Sequence, residues 1–213
     1  MTQITPELEQ YILDHTSPED TVLEELNRAT RTGTRDPQMM AGHLQGRILE
    51  MISRMVRPRR VLEIGTFTGY SSICLARGLS GEGQLFTIER NEKITGFAAS
   101  YIRNAGLEDR ITILTGDARE IIPGLQETFE LVYLDAEKTE YLDYYRAVFP
   151  RLRQGGYLLA DNVLWGGKVL DKPGPGDDST RGILAFNEEI RKDPRVEQVI
   201  LPVRDGLMLA RKI

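Results

Sequence analysis

This sequence predicts an α/β fold with a doubly wound, mostly parallel seven-stranded sheet, and three observations predict it. Short apolar runs (RVLEIG, QLFTIE, RITILTGD, FELVYLDA, GGYLLADN) alternate with segments of helical period. The first run passes into a glycine-marked turn and a hydroxyl-rich helix start, VLEIGTFTGYSS. The chain closes on two strand-like runs, VEQVILPV and GLMLARK, joined at Arg204-Asp205. Alternation of this kind requires right-handed crossovers and a sheet covered on both faces. The final pair adds an antiparallel closing hairpin.

Taken in order, residues 6–14 and 18–31 read as two amphipathic helices, each with a proline near its start and with Thr5 and Ser17 as N-caps. Residues 32–38 are a loop. Residues 41–56 give a third helix with Leu44, Ile48, Leu49, Ile52, Met55 and Val56 on one face. Strands follow at 60–65, 84–89, 110–117, 129–136 and 155–162. Between them lie helices at 70–79, 92–106 (stopped by Gly106), a short one to about Pro123, and 141–152. A last helix near 180–192 precedes the hairpin strands 196–203 and 206–212.

The chain of 213 residues is expected to form one domain, 1–213, with 1–40 as a helical extension ahead of it. A net charge of −5 argues against a nucleic-acid partner, which needs clustered Lys and Arg; Arg59-Arg60 and the string around Arg151 and Arg153 read as solvated faces. One cysteine, Cys74, permits neither an internal disulfide nor a zinc site built from Cys, and its apolar surroundings predict a core thiol. The start MTQITPELEQ lacks a signal core and no apolar run reaches membrane-spanning length, so a cytoplasmic location and no membrane partner are expected.

In such sheets the ligand crevice lies beyond the carboxyl ends of the strands, which here carry Glu63, Glu89, Asp117, Asp135 and Asp161-Asn162. A phosphate-binding P-loop fails because no lysine follows Gly69. A dinucleotide fingerprint fails because Phe67 replaces its second glycine, and Glu63 would repel a pyrophosphate. A cationic ligand reverses that argument. S-adenosylmethionine carries a sulfonium and an ammonium and no phosphate, which suits an acid at the strand end beside Gly65. Ser71 and the helix start can bond its carboxylate, Glu89 its ribose diol, and Asp117 its adenine amino group. Taken one at a time, these acids read as caps and solvated strand ends; three of them at consecutive strand ends favour the ligand.

Asp135, Asp161 and Asn162 end two strands that should be neighbours, and all three offer oxygen to a hard divalent cation. Zinc is disfavoured without nearby His or Cys. Lys138 follows Asp135 by one helical turn, where a bound cation would lower its pKa and allow it to take a proton from a hydroxyl; its plain reading is a surface lysine.

Together, VLEIGTFTGYSS, LDAEKTEY, ADNVLWGG and DGLMLARK resemble the cation-dependent class I O-methyltransferases of the caffeoyl-CoA and catechol type, from about residue 20 to the end. The resemblance implies a Rossmann-like methyltransferase fold and cofactor contacts at Met39, Ala41, Glu63, Gly65, Thr66, Phe67, Ser71, Glu89, Arg90, Asp117, Ala118 and Asp135. It implies metal ligands Asp135, Asp161 and Asn162, with Mg²⁺ first and Ca²⁺ or Mn²⁺ as alternatives. Lys138 is implied as the catalytic group, also touching substrate, and Trp165 as a packing surface for a small aromatic acceptor. A homodimer is implied as well. The family often has Ser-Pro-Glu between the methionine and the Gln-Gly pair, where this chain reads MMAGHLQG; His43 there is expected to make a structural bond. The competing readings are a nicotinamide-dependent oxidoreductase and a non-catalytic cofactor-binding protein on the same fold. Amino-group methylation of nucleic acid lacks its Asn/Asp-Pro-Pro-Tyr motif.

Overall fold

The alternation becomes a single sheet in a computed structural model that describes residues 5–213. Its strands are β1 (Arg60–Ile64), β2 (Gln84–Glu89), β3 (Ile111–Thr115), β4 (Phe129–Leu134), β5 (Leu152–Ala160), β6 (Val196–Leu201) and β7 (Leu207–Lys212). They lie in the order β3-β2-β1-β4-β5-β7-β6, parallel from β3 to β5 and antiparallel at β5–β7 and β7–β6. The predicted fold class is the one observed. The order reverses between β1 and β4, which opens the crevice there.

Helices α1 (Pro6–Asp14), α2 (Thr21–Gly33), α3 (Gly42–Val56), α4 (Tyr70–Ala76), α5 (Glu92–Asn104), α6 (Ala118–Ile121), α7 (Tyr141–Val148) and α8 (Asp178–Lys192) accompany the sheet. Two buried clusters pack against its faces. One gathers Leu62, Val132, Tyr141, Tyr145 and Phe186 beneath α7 and α8. The other gathers Leu26, Leu49, Val61, Tyr70, Ile73, Cys74 and Tyr133 beneath α2, α3 and α4. Cys74 is buried there, and burial pushes its thiol far above the ordinary range, consistent with an inert core residue.

Three local expectations need correction. Thr5 does cap α1, accepting from the Leu8 N–H, but α2 begins at Thr21 with Asp20 as its cap, three residues later than the cap expected at Ser17. Residues 17–20 form a strap instead: the Ser17 and Pro18 carbonyls face His43 Nε2 (2.7 Å) and Arg47 (2.6 Å), and Glu19 and Asp20 accept from Tyr70 and Arg77. On α3, Leu49 and Ile52 are buried as expected, but Met55 is 72% exposed. Polar Gln45, Glu50 and Ser53 take buried places because each has a partner there; Ser53 donates to the Leu75 carbonyl at 2.6 Å, and Glu50 pairs with Arg47, Arg54 and Arg77. An apolar count cannot see such pairing. Finally, α7 stops at Val148, before Pro150, and β5 starts at Leu152.

No helix among the described residues is long and apolar enough to cross a membrane.

Candidate active site

The strand ends stand in one row, each tied to the next. Gly116 N–H donates to the Glu89 carbonyl, Gly65 to Ile88, Asp135 to Ile64 and Asp161 to Leu134, all at 2.9–3.0 Å. Gly65 shows why the two sides of the reversal meet so closely. Its φ is +106°, and a Cβ at this position would lie 2.0 Å from the Asp135 carbonyl oxygen. Only glycine allows β1 and β4 to end this near each other.

On the β1–β2 side Glu63 is fully buried. Its Oε2 accepts from Thr87 Oγ1 at 2.6 Å and from Ser72, while its Oε1 is buried without a partner. Burial pushes its carboxyl up to about 7, against the hydroxyls of Ser71, Ser72 and Thr87. An orphaned acid oxygen of this kind fits a ligand that brings a donor, such as an ammonium. Thr66 Oγ1 lies 2.6 Å from Thr87 Oγ1. Phe67 adopts φ +47°, in the left-handed region, and its N–H donates to Glu89 Oε2 at 2.8 Å; Asn91 N–H holds the other oxygen. Ser71 is buried in the first turn of α4.

Further along, Asp117 caps α6 and is gripped by Arg119 and by Arg90 (2.9 Å), which hold its carboxyl well below the ordinary range. Arg90 also reaches Glu140 at 2.6 Å. An adenine amino group at Asp117 would therefore compete with two guanidiniums. Ala118 beside it is buried. Met39, in a 3₁₀ turn, is exposed, whereas Ala41 is buried at the start of α3.

On the β4–β5 side Asp135 Oδ1 accepts from Lys138 Nζ at 2.9 Å. The same ammonium lies 2.8 Å from the Tyr141 hydroxyl. Burial pulls the Lys138 ammonium down, but Tyr141 and Asp135 more than offset it and hold it above the ordinary range. The ammonium is thus held charged by its protein neighbours; the downward shift expected from the sequence belongs to a site with a cation at Asp135.

Asp161 is buried, with Oδ1 accepting from the Asn162 N–H (2.8 Å) and Oδ2 from Gln45 Nε2 (2.7 Å). Burial, and after it the nearby Asp135 charge, push the Asp161 carboxyl up to about 6. A buried carboxyl repelled by a half-buried neighbour fits a cation between them. Asn162, at φ +60°, donates from Nδ2 toward Asp205 (3.5 Å), which leaves its amide oxygen as the atom able to ligate a cation. No three of His, Cys, Asp and Glu gather into a cage among the described residues, so the amide oxygen is needed to complete an all-oxygen set.

Trp165 follows through a turn closed on the Asn162 carbonyl at 3.1 Å; it is half-buried at φ +48° with its indole N–H lacking a partner. His43 makes the structural bond expected of it, to the Ser17 carbonyl.

The structure also brings in groups the sequence did not single out: Gln45, Tyr133, Tyr141, Arg204 and Asp205. Tyr133 and Tyr141 lie within a strand and at a helix start, where the sequence carries no signal for their hydroxyls. Gln45 belongs to the Gln-Gly pair already compared with the family, which was the one signal available.

Such a sheet, with an orphaned acid at the end of β1 and paired acids at the reversal, defines a class I methyltransferase rather than a phosphate-binding protein. The comparisons agree. The profile described as O-methyltransferase matches residues 13–213, and the chain belongs to that family. A catechol O-methyltransferase of Niastella koreensis is 32% identical, with 98% of this chain and 97% of that protein covered. A caffeoyl-CoA O-methyltransferase of Stellaria longipes is 28% identical over 97% of this chain and 90% of that one. Among solved structures, the O-methyltransferase from Bacillus cereus in complex with SAH superposes with a TM-score of 0.91 at 32% identity, covering 97% of both chains. The SAM complex of an O-methyltransferase from Streptomyces achromogenes, involved in tomaymycin synthesis, gives 0.89 at 31%, covering 97% of this chain and 96% of that one. The enzyme class expected from the sequence, an S-adenosylmethionine-dependent O-methyltransferase, holds.

Proposed function

We propose that this enzyme methylates one hydroxyl of a vicinal diphenol in a cation-dependent reaction. The observation that carries the reading is the buried Asp161 carboxyl, pushed up beside half-buried Asp135, with the Asn162 backbone and the Lys138 ammonium against the two acids. The names of the Niastella and Stellaria relatives support an acceptor of catechol or caffeoyl type.

In this reading Glu63 receives the cofactor's ammonium, Glu89 its ribose diol, and Ser71 with the start of α4 its carboxylate. Gly65, Thr66 and Phe67 line the turn beneath it. Met39, Ala41, Arg90, Asp117, Ala118 and Asp135 complete its contacts. Asp135, Asp161 and Asn162 would hold Mg²⁺, or Ca²⁺ or Mn²⁺ in its place. A divalent cation there would supply Lewis acidity toward a hydroxyl and a fixed orientation for it. With a cation at Asp135 lowering its pKa so that it stands as a neutral amine, Lys138 would take the hydroxyl proton as the oxygen–methyl bond forms and the sulfonium–methyl bond breaks. Trp165 packs on the aromatic ring. We further take residues 1–213 as one domain, with 1–40 as its helical extension, acting as a cytoplasmic homodimer; exposed Met51, Met55, Val199 and Ile200 offer apolar surface for such a contact.

The test is a screen of catechols, flavonoids and caffeoyl-CoA with labelled cofactor and Mg²⁺. Activity lost with EDTA, restored by Mg²⁺ and missing in Asp135→Ala is the expected result. Full activity after EDTA overturns the metal role, and binding of NAD(H) with none of S-adenosylmethionine overturns the cofactor role. A single-protomer mass by light scattering overturns the dimer.

A further inference from the structure

The tip of the β6–β7 hairpin carries a cation that the reading above does not use. Arg204 adopts φ +48°, a conformation that disfavours every residue with a Cβ, and an arginine held there by surrounding contacts asks for an explanation. Its Nη1 donates to Gln45 Oε1 at 2.9 Å and to the Ala41 carbonyl. Gln45 is almost fully buried on α3, and its other amide end donates twice, to Asp161 Oδ2 (2.7 Å) and to the Tyr133 hydroxyl (2.9 Å). Tyr133 in turn donates toward Asp135 Oδ2 at 3.4 Å.

The chemistry of the partners fixes how this amide lies. A guanidinium has no acceptor and a carboxylate no donor, so only one orientation of Gln45 satisfies both. One buried side chain thus touches Asp161 directly and Asp135 through a single hydroxyl, and an arginine from a distant hairpin locks it. Residue 205, next to Arg204, holds the third oxygen donor from the other side: Asp205 accepts from Asn162 Nδ2 and from the Gly166 N–H.

We infer that Arg204 and Gln45 are positioning residues that hold Asp161 and Asp135 in the geometry a divalent cation requires. The inference rests on the cation reading of the previous subsection and adds residues to it. Groups that orient metal ligands in this manner alter affinity by roughly 10–100-fold when removed.

The probe is Mn²⁺ alone, its free fraction read by electron paramagnetic resonance on the full chain, with S-adenosylmethionine affinity measured in parallel by calorimetry. Gln45→Leu removes both ends of the link at similar volume. Arg204→Gly removes the guanidinium while relieving the backbone, so the variant is expected to fold. Both should bind Mn²⁺ roughly 10–100-fold more weakly, and Gln45→Leu should bind S-adenosylmethionine as wild type does. Cooperative thermal unfolding identifies a variant that has kept its fold. Folded variants with wild-type Mn²⁺ affinity overturn the inference and leave the cation reading standing. A wild-type protein that binds no Mn²⁺ overturns both.

Discussion

At the β1–β2 end of the crevice, Glu63 is held by Ser72 and Thr87, 9 and 24 residues away along the chain. At the β4–β5 end, Asp161 is held by Gln45, 116 residues away, and Gln45 by Arg204, a further 159 residues distant from it. Both ends bury an acid and push its carboxyl upward, yet they resolve the burial differently. The first leaves one oxygen without a partner, ready for a ligand that donates. The second pairs its oxygens with an amide from α3 and a backbone N–H, and places a lysine on the neighbouring acid. The first end is built by local strand–turn–helix geometry, whereas the second, where we propose the cation and acceptor, is built by side chains that only the folded chain brings together.

Four measurements break or sharpen this contrast. The largest effect belongs to the acceptor end. Lys138→Ala should lower kcat by about 10²–10⁴ while leaving the KM for cofactor unchanged; a wild-type rate would remove Lys138 from the chemistry. Next comes the junction of the two ends. Gly65→Ala places a Cβ against the Asp135 carbonyl at a positive φ and should cost about 3 kcal/mol or more of stability in urea unfolding. A smaller loss would show that β1 and β4 can separate without cost.

The cofactor end is tested by pH. With its folded pKa raised to about 7 from 4.5, Glu63 keeps a proton that the unfolded chain releases. Stability is therefore greater at the acid end and falls as pH rises from about 4.5 to about 7, by about 3 kcal/mol for this group. Glu63→Gln should flatten that slope in the cofactor-free protein and weaken S-adenosylmethionine binding. In the wild type an ammonium placed on Glu63 as proposed would reverse the push on its carboxyl, so binding near pH 7 should release a proton, visible by calorimetry in buffers of different ionisation heat. Binding without proton release would place the ammonium elsewhere. The smallest effect is expected at His43, outside both ends: His43→Ala should cost about 1 kcal/mol through its lost bond to the Ser17 carbonyl and leave kcat as it is. A fall in kcat would move His43 into the acceptor site.

The order of strands and helices was legible because each apolar run is short and bounded by turn residues, so its period survives without any knowledge of neighbours. The acids at the strand ends were legible because each closes a short apolar run, and the carboxyl ends of strands in a doubly wound sheet border one crevice. What escaped was whatever depends on a partner far away in sequence. Met55 looked like part of a buried stripe and is exposed, because Gln45, Glu50 and Ser53 take the inward places through polar partners on other elements. Ser17 looked like a cap and became part of a strap, because His43 takes its carbonyl. Lys138 in its plain reading was a surface lysine and is largely covered, because Asp135 and Tyr141 hold its ammonium.

By itself the sequence determined the fold class, the family, and which acids end which strands, since these follow from periodicity and short motifs. Tertiary structure alone decided that Glu63 keeps an orphaned oxygen, that Gly65 is required by the Asp135 carbonyl, and that Arg204 reaches Asp161 through Gln45. Those outcomes depend on distances between segments that share no local pattern, and only packing sets such distances.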